Sequence, residues 1–227
     1  MSAFAEHMRM LFSYDNAQFV LAAMGRTFAM TLFGCSLGFV GGLLLAILRR
    51  STRPYLAPAR VLAMLYVELF RRIPFLVILF IVLFAIGPVV PDASLFTVAA
   101  VSICLLAAAF LSEIVGAGLD SVPVAQVQAA ETLNLGRLRT LRHVVLPQAW
   151  KVILPPAIAF GVMFIKDTAL ASQMGIVELT FAGKVLVNRG VPPALGFGAI
   201  LLCYFALSYP LTRLGAHLER RLAPSRH

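Results

Sequence analysis

The chain has 227 residues, 60% hydrophobic and 13% charged, with a net charge of +9. So apolar a composition argues against an ordinary soluble fold, whose surface must be covered by polar groups. The basic residues are split among short segments rather than gathered on one soluble face, which argues against a nucleic-acid-binding domain.

Residues 1–26 are mixed in polarity and predict a short amphipathic helix or strap on the outer face of a membrane. Residues 27–48 contain no Asp, Glu, Lys or Arg. They are long enough to cross a hydrocarbon core of roughly 30 Å as a helix. The run is too long for the apolar part of a signal peptide and no small-residue cleavage site follows it, so it is expected to stay in the protein. Gly34, Gly38 and Gly42 repeat at four-residue spacing within it, which lets a second helix approach closely.

A second span starts near Arg60, before its charge-free part, residues 73–91. Pro74 lacks a backbone donor and predicts a kink. Arg71 and Arg72 stand at that kink, with Glu68 nearby on the same helix. Either they snorkel to the inner interface or they line a cavity as an anion-holding site, since arginines at membrane depth need water or a counter-charge. Residues 93–112 form a third charge-free run that ends at Ser112-Glu113.

The chain then leaves the membrane through Asp120-Ser-Val-Pro123. Ser121 is the expected N-cap of a helix over about 122–133, with Pro123 in its first turn. Asn134 tolerates a left-handed conformation and is expected to end that helix, and Gly136 loosens the turn. A second short helix carrying Arg137, Arg139 and Arg142 is expected to run to Pro147. Residues 120–150 thus read as a compact, basic helix–turn–helix between spans.

The fourth span is the anomaly. Its charge-free run, residues 152–165, is short, is bracketed by Lys151 and Lys166, and contains Pro155-Pro156, which predict an interruption. Short or Pro-interrupted spans point to a transport site. Residues 190–212 form the fifth charge-free run. Cys35, Cys104 and Cys203 lie in apolar runs without CxxC spacing and read as small hydrophobes. Trp150 and Tyr55 fall near expected inner boundaries, where amphipathic rings are favoured.

Arg and Lys set the orientation. Arg49, Arg50, Arg53 and Arg60 follow span one, Arg137, Arg139, Arg142 and Lys151 follow span three, and Arg213, Arg220, Arg221 and Arg226 follow span five. The connection between spans two and three carries only Asp92. An outer N-terminus and a cytoplasmic C-terminus satisfy these signs, with Lys184 and Arg189 running against them. No G-x-x-x-x-G-K-[ST] phosphate loop, H-E-x-x-H or G-x-S-x-G is present. The chain is therefore expected to be no enzyme and to hold no cofactor.

The segment Gln128-Ala129-Ala130, then Asn134, then Leu146-Pro147 resembles the Glu-Ala-Ala loop of ABC importer permeases. Gln128 replaces the usual Glu and Asn134 the usual Gly. Tyr66-Val-Glu-Leu-Phe-Arg-Arg-Ile-Pro74 is similar to another family segment, with Arg72 and Ile73 as departures. Ser112-Glu113-Ile114, Ser121-Val122-Pro123 and Leu218-Glu-Arg-Arg-Leu222 fit as well. Lys166-Asp-Thr-Ala-Leu-Ala-Ser172 and Gly175-Ile-Val-Glu-Leu-Thr180 are similar to segments of the polar amino-acid branch (histidine and glutamine permeases).

This resemblance implies an all-α membrane protein with five transmembrane helices and the MetI-like, type I importer architecture. It divides the chain into an outer-face segment (1–26), a permease domain (27–222) holding the cytosolic loop 120–150, and a cytosolic tail (223–227). It implies a permease subunit in a bacterial inner membrane that moves a polar amino acid inward by alternating access. The implied partners are a second permease subunit, identical or homologous, two cytosolic ATP-binding-cassette subunits that bind ATP and Mg, an external solute-binding protein, and the lipid bilayer. Gln128, Ala129, Ala130, Asn134, Gly136 and Arg137 are the expected contacts to the ATPase. Glu68, Arg71, Arg72, Asp167, Thr168 and Ser172 are the expected substrate ligands: cations for a carboxylate, acids for an ammonium group, hydroxyls for further hydrogen bonds. The competing reading is a secondary transporter or channel independent of ATP. It predicts inverted repeats or several intramembrane acids, and neither is evident.

Overall fold

The computed structural model describes residues 3–222; the expected tail at 223–227 lies outside them. Every element among the described residues is helical. Helix α1 (Ala3–Leu11) is followed by α2 (Tyr14–Arg49), a 3-10 turn at Pro54–Leu56, α3 (Ala57–Phe70), α4 (Phe75–Ile86) and α5 (Leu95–Asp120). Then come α6 (Val124–Thr132), α7 (Arg137–Thr140), a π-helical turn at Leu141–Val145, α8 (Leu146–Asp167), a 3-10 helix at Thr168–Met174, α9 (Leu179–Asn188) and α10 (Pro193–Leu222).

Four helical stretches are long and apolar enough to cross a membrane: Tyr14–Arg49, Leu95–Asp120, Arg137–Met174 and Pro193–Leu222. A fifth exists if Pro54–Phe70 and Phe75–Ile86, bent by 118°, are one span. The expected kink at Pro74 is thus a full break. Proline biases the residue before it away from the helical region, so α3 ends at Phe70 and a new helix opens directly after Pro74.

Three other expectations are corrected. The first spanning helix starts at Tyr14, so only Ala3–Leu11 forms the separate short helix expected of the leading segment. Pro155 and Pro156 do not interrupt the fourth span, because α8 runs through both. Helix-breaking residues are tolerated where the surrounding protein keeps an apolar helix in place. The real change of geometry follows Asp167, where the α-helix tightens into the 3-10 helix. Finally, the second helix of the 120–150 segment is no separate piece. It is the leading end of the Arg137–Met174 stretch.

The chain folds as two compact units. One comprises the residues up to Ser36, Ile73–Cys104 and Gly161–Pro210. In it, Gly34 presses on α5, for a Cβ there would lie 2.5 Å from Ile103 Cγ2. Its cores gather Ala23, Leu179, Ala182 and Ile200, and Leu11, Leu186 and Val191. The other comprises Leu37–Arg72, Leu105–Phe160 and the residues from Leu211. In it, a Cβ at Gly42 would lie 2.8 Å from Ser112 N. Its core gathers Ala46, Val115, Val122, Ala149 and Ile153. The glycine ridge expected from the spacing is therefore a packing seam against α5 in each unit.

Candidate functional site

Two constellations and one exposed segment carry the polar chemistry. In the unit holding the end of α2, Arg49 Nη1 donates to Glu113 Oε1 and, at 3.4 Å, to Ser112 Oγ. Arg71 Nη1 stands 3.6 Å from Glu113 Oε2, with its guanidinium 5.7 Å from the Phe110 ring centre. One carboxylate on α5 therefore serves two arginines, one closing α2 and one closing α3. Arg72 is separate: it pairs with Glu68 one turn earlier, at 2.7 Å, on an exposed surface. Tyr66 Oη donates to the Leu105 carbonyl at 2.6 Å and fixes α3 on α5.

In the other unit, Glu178 is fully buried. Its Oε1 accepts from Phe181 N at 2.7 Å and caps α9, and its Oε2 accepts from Tyr204 Oη at 2.7 Å. Tyr204 Oη also lies 2.9 Å from Thr180 Oγ1, and Leu179 N donates to Thr27 Oγ1 at 3.1 Å. Burial holds the Glu178 carboxyl above its ordinary range, opposed by these donors and by Lys184. Lys184 Nζ donates to Ser172 Oγ at 3.1 Å. Arg189 donates to Asn16 Oδ1 at 2.6 Å and lies over Phe19. The two cations that ran against the charge count are thus engaged inside the fold.

The expected substrate ligands divide between the units. Glu68, Arg71 and Arg72 belong to one, Asp167, Thr168 and Ser172 to the other. Thr168 is fully buried and its hydroxyl donates to the Ile165 carbonyl at 2.7 Å, while the buried Ser172 accepts from Lys184. Both hydroxyls are therefore committed within the chain, whereas Asp167 is half-buried.

The 120–150 segment is built around Asn134. Its φ of 55° is left-handed, the conformation expected of it and the only such value at a non-glycine among the described residues. Leu135 N donates to the Ala130 carbonyl at 3.0 Å and Asn134 N to the Glu131 carbonyl at 2.9 Å. This pairing satisfies the last carbonyls of α6 in the way a glycine stop does. Gly175 and Gly190 end their helices by the same bonds, from Ile176 N to Ala171 O and from Val191 N to Leu186 O. Asn134 thus does a glycine's work.

Ser121 does not cap α6, because its hydroxyl donates backward to the Gly118 carbonyl at 2.6 Å. Gly136 is extended, with φ −63° and ψ 155°, so its place needs no glycine. Gln128, Ala129, Asn134, Gly136 and Arg137 are exposed, but Ala130 is buried at 3%. Ala130 faces inward and supports the loop. Leu133 and Leu138, 76% and 78% exposed, present apolar surface beside the expected contact residues. Sequence reading missed them because leucine is ordinary on a helix.

A segment this exposed, carried on a chain of spanning helices, belongs to a recognisable architecture. The family described as "Binding-protein-dependent transport system inner membrane component" matches residues 38–224. The chain belongs to that family. It is a multi-pass inner-membrane permease subunit of an ABC importer. The "Probable glutamine ABC transporter permease protein GlnP" of Bacillus subtilis is 29% identical over 213 residues, covering 92% of this chain and 96% of that one. The octopine transport system permease protein OccM of Rhizobium radiobacter is 30% identical over 219 residues, covering 91% and 87%. A chain of the MetNI methionine ABC transporter in an inward-facing conformation superposes with a TM-score of 0.80 at 24% identity, covering 94% of this permease and 100% of that chain. The all-α, MetI-like type I importer fold implied by the sequence is therefore the fold of this permease.

Glu113 and Glu178 carry no role that local sequence pattern assigns. An acid inside an apolar run with no cation beside it in sequence predicts a distant partner. That signal was available for Glu113.

Proposed function

We propose that this permease subunit imports a polar amino acid or an amino-acid-like solute. The substrates named for its relatives, glutamine and octopine, support this class. Two permease subunits enclose the path, a solute-binding protein delivers the solute outside, and two ATPase subunits dock inside. The N-terminus is outside and the C-terminus cytoplasmic. The chain hydrolyses no ATP itself, and the ATP and Mg are held by its partners. When the ATPases close, their docked loops are drawn together and the spans tip between inward- and outward-open states.

The observation that carries this reading is the Asn134 turn. It holds α6 and α7 in fixed register while leaving Gln128, Ala129 and Arg137 exposed. A rigid, exposed, helical projection transmits rigid-body motion; a flexible loop does not. The exposed Leu133 and Leu138 add apolar surface of the kind that anchors docking contacts.

Replacing Ala129 with Glu tests the docking role. Transport and ATPase attachment should be lost while the protein stays in the membrane. Transport that survives with the ATPases attached overturns it. Ala130 is unsuited to this test, since its burial makes any larger side chain a folding defect.

On the substrate side, Arg71 takes the carboxylate. Its 3.6 Å approach to Glu113 exceeds hydrogen-bond length and leaves its donors available. Asp167, in the other unit, is a separate candidate to meet an ammonium group. Loss of substrate-stimulated ATP hydrolysis in Asp167→Asn is the expected result, and an unchanged response removes Asp167 from the site.

A further inference from the structure

Beside the loop lies a cleft of about 830 Å³ that shares Arg137 and Leu138 with the loop's docking surface but extends away from it along the end of α2. Its lining changes character along its length. One part is the last apolar turns of α2: Leu44, Ile47 and Leu48. Leu44 and Ile47 are 63% and 43% exposed and continue the apolar surface of the first spanning helix. The other part is cationic, with Arg50, Arg53 and Arg137 on the lining against the single acid Glu131.

The arginines are not equivalent. Arg50 is neutralised by Asp120, to which its Nε donates at 3.0 Å. Arg53 leans on the Tyr55 ring and donates to its hydroxyl at 2.6 Å, a contact that leaves its charge uncompensated. Arg137 makes no ion pair among the described residues. Both are exposed. An apolar wall at the end of a spanning helix, topped by two uncompensated guanidiniums, has the polarity order of one class of molecule. A peptide or nucleotide has no reason to extend an apolar body along α2 into the bilayer. A phosphate carried on acyl chains does.

We infer that this cleft binds an anionic phospholipid, its phosphate on Arg53 and Arg137 and its first methylenes along Leu44, Ile47 and Leu48. Guanidinium forks match phosphate oxygens in geometry as well as charge, and basic pockets beside spanning helices suit anionic head groups. The bound lipid fills the space between the end of α2 and the loop and so braces the loop's base. Glu131 opposes the phosphate and sets an upper limit on affinity.

The test uses the transporter purified in mild detergent with the subunits it assembles with, stripped of lipid, then given phosphatidylglycerol, phosphatidylethanolamine or glycerol phosphate. Phosphatidylglycerol should bind and raise the unfolding midpoint, and phosphatidylethanolamine should do so much less. In the double variant Arg53→Gln/Arg137→Gln its affinity should fall roughly 25-fold, at about 1 kcal/mol per arginine near a lipid surface. The Arg53→Lys/Arg137→Lys pair should keep most of the effect, Glu131→Gln should strengthen it, and Arg139→Gln, off the cleft, should leave it unchanged. Equal effects of the two lipids overturn the inference. So does a midpoint shift with glycerol phosphate alone, which would make the cleft an anion site without tails. A double variant that keeps the lipid effect but sheds the ATPase would also overturn it and assign the cleft to protein docking. Binding is read directly, so the proposal stands or falls apart from the transport reading.

Discussion

Glu113 and Glu178 are both acids at apolar stretches of this permease, and they are held in opposite ways. Glu178 is fully buried, with an amide and a phenol as hydrogen-bond donors and no arginine. Glu113 has a side chain 36% exposed and shares its charge between Arg49 and Arg71. Burying a carboxylate is costly unless its oxygens are satisfied. The donors around Glu178 are fixed by α9 and α10, so moving any of them exposes that cost. Glu113 keeps part of its surface uncovered by the chain, and its 3.6 Å contact to Arg71 is longer than a hydrogen bond. The first arrangement fixes a geometry; the second holds one of its two arginines loosely.

The largest expected effect breaks the lock. Glu178→Ala strands the Tyr204 hydroxyl and the Phe181 amide and removes the α9 cap. It should cost about 3 kcal/mol, read as a lowered unfolding midpoint and reduced yield. A midpoint equal to wild type would erase the contrast between the two acids.

Glu178→Gln keeps the cap acceptor and should cost about 1 kcal/mol at neutral pH. Its pH dependence is more telling. Burial raises the folded carboxyl above its unfolded value, so the folded state takes up the proton more readily. Stability from this group is complete below the unfolded carboxylate range and is lost as pH rises through the raised folded value. The variant should flatten that slope, and an unaltered slope would mean another group produces it.

Tyr204→Phe removes one donor and should cost about 1 kcal/mol, with transport falling only as far as folded protein falls. Glu113→Gln should behave in the reverse way. Its pairs are partly exposed and screened, so stability changes by at most about 1 kcal/mol, while transport per folded transporter drops. Parallel losses in both readouts would make Glu113 another structural acid. Arg72→Gln should do least: the exposed pair with Glu68 is screened by solvent, and the unfolding midpoint should not move measurably.

The legible parts of this molecule are those governed by neighbours a few residues away. Charge-free runs marked the spans because an apolar helix must fill the hydrocarbon core. Asn134 marked the loop's turn because few side chains tolerate a left-handed backbone. Pro74 marked a disruption, although its size was not foreseen. The illegible parts depended on remote partners. Arg49 meets Glu113 across 64 positions and Tyr204 meets Glu178 across 26; no spacing rule links either pair. Ala129 and Ala130 are chemically identical, yet only one is exposed. Which one depends on where α6 comes to rest, not on its composition.

By itself the sequence determined the helical class, the approximate spans, the exposed loop and the family-like motifs, since each follows from local backbone preference and the hydrophobic length of a membrane. Only the tertiary structure decided that Pro155 and Pro156 stay helical, that Ala130 faces inward, that Glu113 is shared while Glu178 is sealed, and that Arg53 and Arg137 meet across one cleft. A backbone preference acts within a turn or two. The partner of a side chain is chosen by which distant segment packs against it, and that choice belongs to the whole chain.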